Sequence, residues 1–270
     1  MFHPLISVRR LLRSPLIVGA LPAPSVTQST PLKPWMAAGA IALGLWGGAI
    51  APATATAQSA VGRAVAFSCQ ESQNSIRQKG APVVAFGTSR IYIGYQQASS
   101  TNKNPIMVRF NNGQRVWCRT NYEMSGDDGE GYGLLWNGGS VLYGVFSATG
   151  TQGNSSQDYR RFTSQGWLSS YGNGGGPKAS VILRINPNTG VANAGTFVTS
   201  QLSNGRTNSF IVRSLAWNNS RLVVQANAWF SPRRPNRQPM NCSGSSPFDY
   251  RLVLTANLRR VVTASADRCS

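Results

Sequence analysis

The sequence predicts an all-β protein, and three observations carry that reading. Short runs in which apolar and polar residues alternate, such as RIYIGYQ, SVLYGVFS, VILRIN, RLVVQANAW and RLVLTA, are separated by Gly, Asn, Ser and Pro; this is the two-residue period of strands. Helical periodicity is nearly absent beyond residue 57, where only 71–79, ESQNSIRQK, suits a short helix or an irregular loop. The strand pattern also recurs: VVAFGTSRIYIGY (83–95), GLLWNGGSVLYGV (133–145) and SLAWNNSRLVVQA (214–226) align without a gap.

Taken in chain order, the first element is a leader. Residues 1–57 lack any acid; Arg9, Arg10, Arg13 and Lys33 precede an uncharged apolar stretch from Trp35 to Ala51, which runs into Ala55-Thr56-Ala57. Cations, an apolar core and an A-x-A site are the parts of a cleaved export signal, with cleavage expected after Ala57. An uncleaved anchor is the alternative, since about 17 apolar residues barely suffice to span a bilayer. The remaining 58–270 is long enough for one domain with a real core.

Within that domain, Phe86, Trp136 and Trp217 share one column of the alignment, and Ile91, Val141 and Leu222 another. The polar residues between the two columns form a hairpin turn. A second hairpin follows each time, at 106–117, 181–192 and 250–262. One unit is therefore a four-stranded antiparallel meander, and consecutive meanders are how propeller blades read. The expected fold is a β-propeller-like array of four-stranded antiparallel blades, small, open or incomplete, because closed propellers use about four blades or more. A β-sandwich is the alternative.

The chain has 26 Lys and Arg against 8 Asp and Glu. Without the four leader cations, 22 basic residues face all eight acids, a net +14 dominated by arginine. Guanidinium groups fork onto carboxylate, sulfate or phosphate, so an acidic polysaccharide or an acidic protein surface is the expected partner. Cys69, Cys118, Cys242 and Cys269 all follow the leader. An even count behind an export signal favours two disulfides in a periplasmic, lumenal or extracellular setting. Three pairings are open, the sequential one being preferred. Nucleic acid is not expected as a partner of an exported chain, nor is a membrane once the leader is removed. The single histidine, His3, is in the leader, which excludes Ser-His-Asp and Cys-His nucleophile systems and His-ligated zinc or copper from the remainder.

Residues 106–150, IMVRFNNGQRVWCRTNYEMSGDDGEGYGLLWNGGSVLYGVFSATG, resemble the SBBP-type β-propeller repeat. Ser125-Gly126-Asp127-Asp128 matches that family's inter-blade turn, Trp117 its outer-strand aromatic, Val141-Leu142-Tyr143-Gly144 its inner strand, and RINPNTG (184–190) its other turn. The chain departs from the pattern at Trp136-Asn137 and in an insertion at about 151–178. The resemblance implies a scaffold, often extracytoplasmic, rather than a particular reaction. With three units, either a degenerate fourth blade is hidden, or the array is open, or it is completed by oligomerisation.

SGDDGEGYG (125–133) holds three of the eight acids. Asp127 and Asp128 align with Asn208 and Ser209 in the third unit, all good turn formers, so a structural turn is expected there. Calcium held by Asp127, Asp128 and Glu130 is the second reading, and no other cofactor is implied. A carboxylate-dependent polysaccharide-active enzyme would have to draw on Glu123, Asp158 and Asp249 as well, none of which sits in a recognisable motif.

The insertion combines Tyr159, Arg160, Arg161, Phe162, Trp167 and Tyr171 with the run YGNGGGPK, and SPRRPNRQP (231–239) adds Arg233, Arg234 and Arg237 between prolines. Aromatic and guanidinium groups on scaffold loops suit stacking on a sugar and clamping of an anion. These two loops are therefore the expected ligand-binding sites of a non-enzymatic binding protein. A structural subunit of a larger extracytoplasmic assembly is the competing expectation.

Overall fold

The structure, a computed structural model, describes residues 55–151 and 153–270. The leader expectation, apart from Ala55–Ala57, and His3 lie outside the described residues. The rest belongs to one compact unit, residues 52–270, built of antiparallel sheets.

The first sheet is a meander of β2 (Val83–Phe86), β3 (Ser89–Gln97), β4 (Lys103–Asn111) and β5 (Gln114–Arg119). The middle sheet runs β6 (Gly131–Trp136), β7 (Leu142–Ala148), β8 (Ala179–Ile185) and β9 (Ala192–Val198), with β1 (Gln58–Val61) added antiparallel along β6. The third sheet is β12 (Phe210–Asn218), β13 (Arg221–Ala228), β14 (Phe248–Thr255) and β15 (Val261–Ala266). A two-stranded ribbon, β10 (Ser200–Gln201) with β11 (Thr207–Asn208), precedes it. Each of the three aligned segments is thus a four-stranded antiparallel meander. The turns follow their residues: Asn112-Gly113 and Asn219-Ser220 have positive φ at both positions, as hairpins twisted in the right hand require.

Side-chain parity shows how the sheets stack. Ile91, Ile93 and Met107 of the first sheet meet Leu134, Trp136, Leu142, Phe146, Val181, Leu183 and Ile185 of the middle one. The intervening residues Leu135, Tyr143, Val145 and Ile182 point the other way, into a core with Val212, Leu215, Leu222, Val224, Leu252 and Leu254 of the third. Successive strand residues face opposite sides, so a strand buried on both faces loses the alternation that a half-buried one keeps. All of β6 and β7 is buried, whereas β13 alternates.

A cap covers the outer face of the first sheet. Val65, Phe67, Ile76 and Ala81 pack on Tyr92, Ile106, Val108 and Phe110. Ile76 sits in α1 (Gln73–Gln78), whose first turn is closed by Ser75 N donating to Ser72 Oγ at 3.2 Å. Where the pairing of β2 ends, the cap chain takes its place: Phe67 N donates to Tyr95 O and Tyr95 N to Val65 O, each at 3.0 Å. Gly94 makes this approach possible, since a Cβ there would lie 2.2 Å from Val65 O. The disulfide Cys69–Cys118 fastens the cap to β5, and Cys242–Cys269 closes the other end of the chain. These two bonds point to an oxidising, extracytoplasmic compartment; among the described residues no helix is long and apolar enough to cross a membrane.

Three strands carry no sequence signal. QSAV at β1 and the dipeptides of β10 and β11 are too short to show a period, and they are strands because neighbouring backbone offers unpaired N–H and C=O groups.

Candidate functional site

The acidic loop proves to be a junction between sheets. Asp128 Oδ1 accepts from Lys103 N at 2.9 Å, while Asp128 N donates to Thr149 Oγ1 at 3.0 Å. Glu130, almost buried, lies 2.7 Å from both Lys103 Nζ and Lys178 Nζ. Burial alone would raise its pKa, but the hydrogen bonds from Lys103 and Lys178 outweigh that and lower it. Asp127 N donates to Ser125 Oγ. For the calcium expectation at Asp127, Asp128 and Glu130, no group of three acid, Cys or His side chains that could hold a metal is found among the described residues; Asp128 is bonded to backbone and Glu130 to two ammonium groups. The loop acts as the turn its residue types suggest.

The insertion is a packed element. Tyr159 is buried against Phe146 and Phe197, with ring centroids 5.7 and 6.3 Å away. Trp167 is buried, its Nε1 donating to Pro235 O at 2.9 Å and its backbone N to Leu258 O at 2.9 Å. Tyr171 is fully buried, with its hydroxyl on Pro177 O at 2.6 Å. Gly166 lies so close to β9 that a Cβ would sit 2.3 Å from Gly195 O. Trp167 and Tyr171 therefore fill core, and a buried ring offers no face to a ligand.

The arginines divide in the same way. Asp158, also buried, binds Arg160 Nε at 2.8 Å and Nη2 at 2.6 Å and accepts from Arg160 N, the first backbone amide of α2 (Arg160–Thr163), at 2.8 Å. Arg233 is turned inward onto Thr199 Oγ1, Gln201 Oε1 and Arg237 O. Arg234 donates to Pro239 O and to Ser270 O. Arg237 stands exposed at φ 74°. These contacts make Arg160, Arg233 and Arg234 locks of their own loops.

Arg161 is different. Its guanidinium stacks on the Phe162 ring at 4.5 Å and gives one hydrogen bond, Nη1 to Ser156 O at 3.2 Å. Nε and Nη2 are shielded from solvent yet have no partner. Burial lowers the pKa of the group, against the pull of Glu123 and Asp158 behind it. On its open side Arg161 lines two hollows. One, of about 370 Å³, continues past Ser164–Gly166 and Ala192–Gly195 to Asn257 and Arg259. The other, of about 150 Å³, runs past Gly190 and Tyr122 to Arg119. Arg161, Phe162 and Ala192 line both, and neither lining contains an acid.

The result is a groove with one arginine from each sheet system: Arg119 at the end of β5, Arg161 in the insertion between β7 and β8, and Arg259 in the β14–β15 turn. Sequence reasoning reached Arg161 but missed Arg119 and Arg259, which lie in turns or strand ends with no local motif. Of the other acids, Glu123 and Asp158 are each 1% exposed, and Asp249 stands 81% exposed on the third sheet. Glu123 Oε1 accepts from Ser125 N at 2.5 Å, and burial raises its pKa.

Compared with protein-family models, with curated proteins and with solved structures, the chain matches none.

Proposed function

We propose that the protein is an exported, non-enzymatic binding scaffold whose acid-free arginine groove takes an anionic polymer, an acidic polysaccharide in the first instance. The observation that supports this most directly is Arg161, which keeps two guanidinium nitrogens buried and without partners. Such donors cost stability, and the open side of the same guanidinium, which lines both hollows, suits a carboxylate or sulfate laid along the groove. Arg119 and Arg259 extend the same charge to either side. In this reading the three stacked meanders are successive blades of an SBBP-type propeller array.

The test is retention of the purified protein on neutral and acidic polysaccharides at low and high salt, with product release followed in the same samples. Salt-sensitive binding of the acidic members without turnover is expected. Arg161→Gln should weaken it about tenfold or more, the loss expected for one or two charged hydrogen bonds. Arg259→Gln, at an exposed turn, should weaken it less and leave the fold intact. Equal binding of all variants, or release of product, would refute the proposal.

A second reading, as a subunit of a larger assembly, draws on the outer face of the third sheet, which none of the described residues covers. Self-association in sedimentation at high protein concentration would favour it.

A further inference from the structure

A second cavity, away from the arginine groove, is built where the third sheet's β13 ends. It has a volume of about 370 Å³ and is lined by Phe230, Ser231, the Cys242 half of the disulfide, Gly244, Ser245, Ser246 and Phe248. Three features set it apart from the rest of the surface.

The first is Phe230. Its φ is 72°, a left-handed conformation that a bulky residue rarely adopts and that glycine takes freely. Leu258 also lies there, at φ 62°, but its side chain is fully buried in the core, which accounts for it. Phe230 gains no such burial: it is 43% exposed, the one aromatic ring among the exposed large hydrophobic side chains of the described residues. A strained backbone that presents an apolar ring to water is explained by what the ring does, not by folding.

The second is the set of hydroxyls. Ser231 is fixed by backbone bonds with Gln201, N to O at 3.2 Å and the reverse at 2.9 Å. Ser231, Ser245 and Ser246 line the hollow, and among the described residues their side chains make no hydrogen bond. The third is the cation at the rim. Arg268 lies over the Phe248 ring at 5.0 Å, and its Nε is taken by Asp267 at 2.8 Å. The lining itself carries no charge.

We infer that this cavity is a subsite for a pyranose ring. The axial C–H bonds of a sugar carry partial positive charge and meet the negative face of an aromatic ring, while its hydroxyls need donors and acceptors of the kind the free serines supply. A purely aliphatic ligand would leave the three hydroxyls unused, and an anion would find no cation inside the lining. The inference stands apart from the arginine groove, because its ligand is recognised without charge.

The position of Phe230 gives an unusual test. Phe230→Gly removes the ring and relieves the backbone at once, so its unfolding midpoint should be equal to or above that of the unsubstituted protein. The purified full chain, Phe230→Gly and Phe230→Trp are titrated calorimetrically, in high salt, with neutral oligosaccharides of glucose, xylose, galactose and N-acetylglucosamine. The expected result is binding of at least one by the unsubstituted protein, a loss of tenfold or more in Phe230→Gly, and retention in Phe230→Trp. Arg161→Gln should bind these neutral sugars normally, which separates failure here from failure of the groove. Three results would overturn the inference: no binding of any sugar, equal binding by Phe230→Gly, or a lowered midpoint in Phe230→Gly, which would make Phe230 a packing residue.

Discussion

The first and third sheets have the same strand order and opposite fates. The first is covered on both faces, by the middle sheet and by the cap around Ile76; the third is covered on one and presents Arg213, Gln225, Asp249 and Arg251 along a shallow hollow on the other. The burial differs to match: β3 and β4 hold the continuous buried runs 91–94 and 105–108, while β13 buries every second residue and β14 does so until its run Leu252–Leu254. The same meander therefore becomes an interior or a terminal layer according to whether both or only one of its faces are covered. Polar pairs on the bare face, such as Arg213 and Asp249 at 3.8 Å and mostly exposed, keep it in water and add little stability.

The largest effects should fall where the doubly covered sheet is joined to its neighbours. Trp136→Ala removes a buried ring stacked 4.9 Å from Phe86 and should cost about 3–5 kcal/mol in chemical denaturation. The aligned Trp217, only partly buried and 5.8 Å from Tyr143 at the joint with the bare-faced sheet, should cost about 1–2 kcal/mol when truncated. Equal losses would mean that the two joints are alike after all.

Replacing both cysteines by serine should follow the loops they close, 49 residues for Cys69–Cys118 and 27 for Cys242–Cys269. That is about 4 and 3.5 kcal/mol in the chain-entropy account, and the first pair alone should also release the cap to proteolysis.

A smaller effect is set by pH. Buried Glu123 keeps its proton to higher pH in the folded protein than the ordinary value of 4.5, because of burial and then of Asp158 and Asp127 nearby, despite the hydrogen bonds from Ser125. The folded state then binds more protons than the unfolded one above pH 4.5, and stability falls as pH rises through that interval. Glu123→Gln should flatten this slope in urea titrations between mildly acid and neutral pH; an unchanged slope would assign it elsewhere.

The smallest change belongs to the bare face, where Gln225→Thr should shift stability by no more than about 0.5 kcal/mol. A substantial loss would show that this face is covered in solution.

Much of this was legible in the residues. Alternation located the twelve meander strands, the NG-type turns their hairpins, and the even cysteine count the number of disulfides, while their pairing stayed one of three with the sequential one preferred. The site was less legible because charge on a loop says nothing about where a guanidinium points. Of Arg160, Arg161, Arg233, Arg234 and Arg237, three are held inside their own loops by Asp158, by Thr199 and Gln201, or by the carbonyls of Pro239 and Ser270. Trp167 and Tyr171 looked like ligand platforms because they stand among polar residues in sequence, and they are core because their loop folds over the edge of β9.

What the sequence determined by itself is therefore the set of local preferences: which segments extend, where they reverse, and which faces must be buried, since these depend on residues two to four apart. Only the tertiary structure decided what crosses between segments. It brought Arg119, Arg161 and Arg259 from three sheets into one groove, spent Glu130 on lysines 27 and 48 residues away, and left Phe230 facing water. Side chains that meet through space carry no periodic signature along the chain, and the packing that brings them together is fixed by the sum of all the buried faces at once.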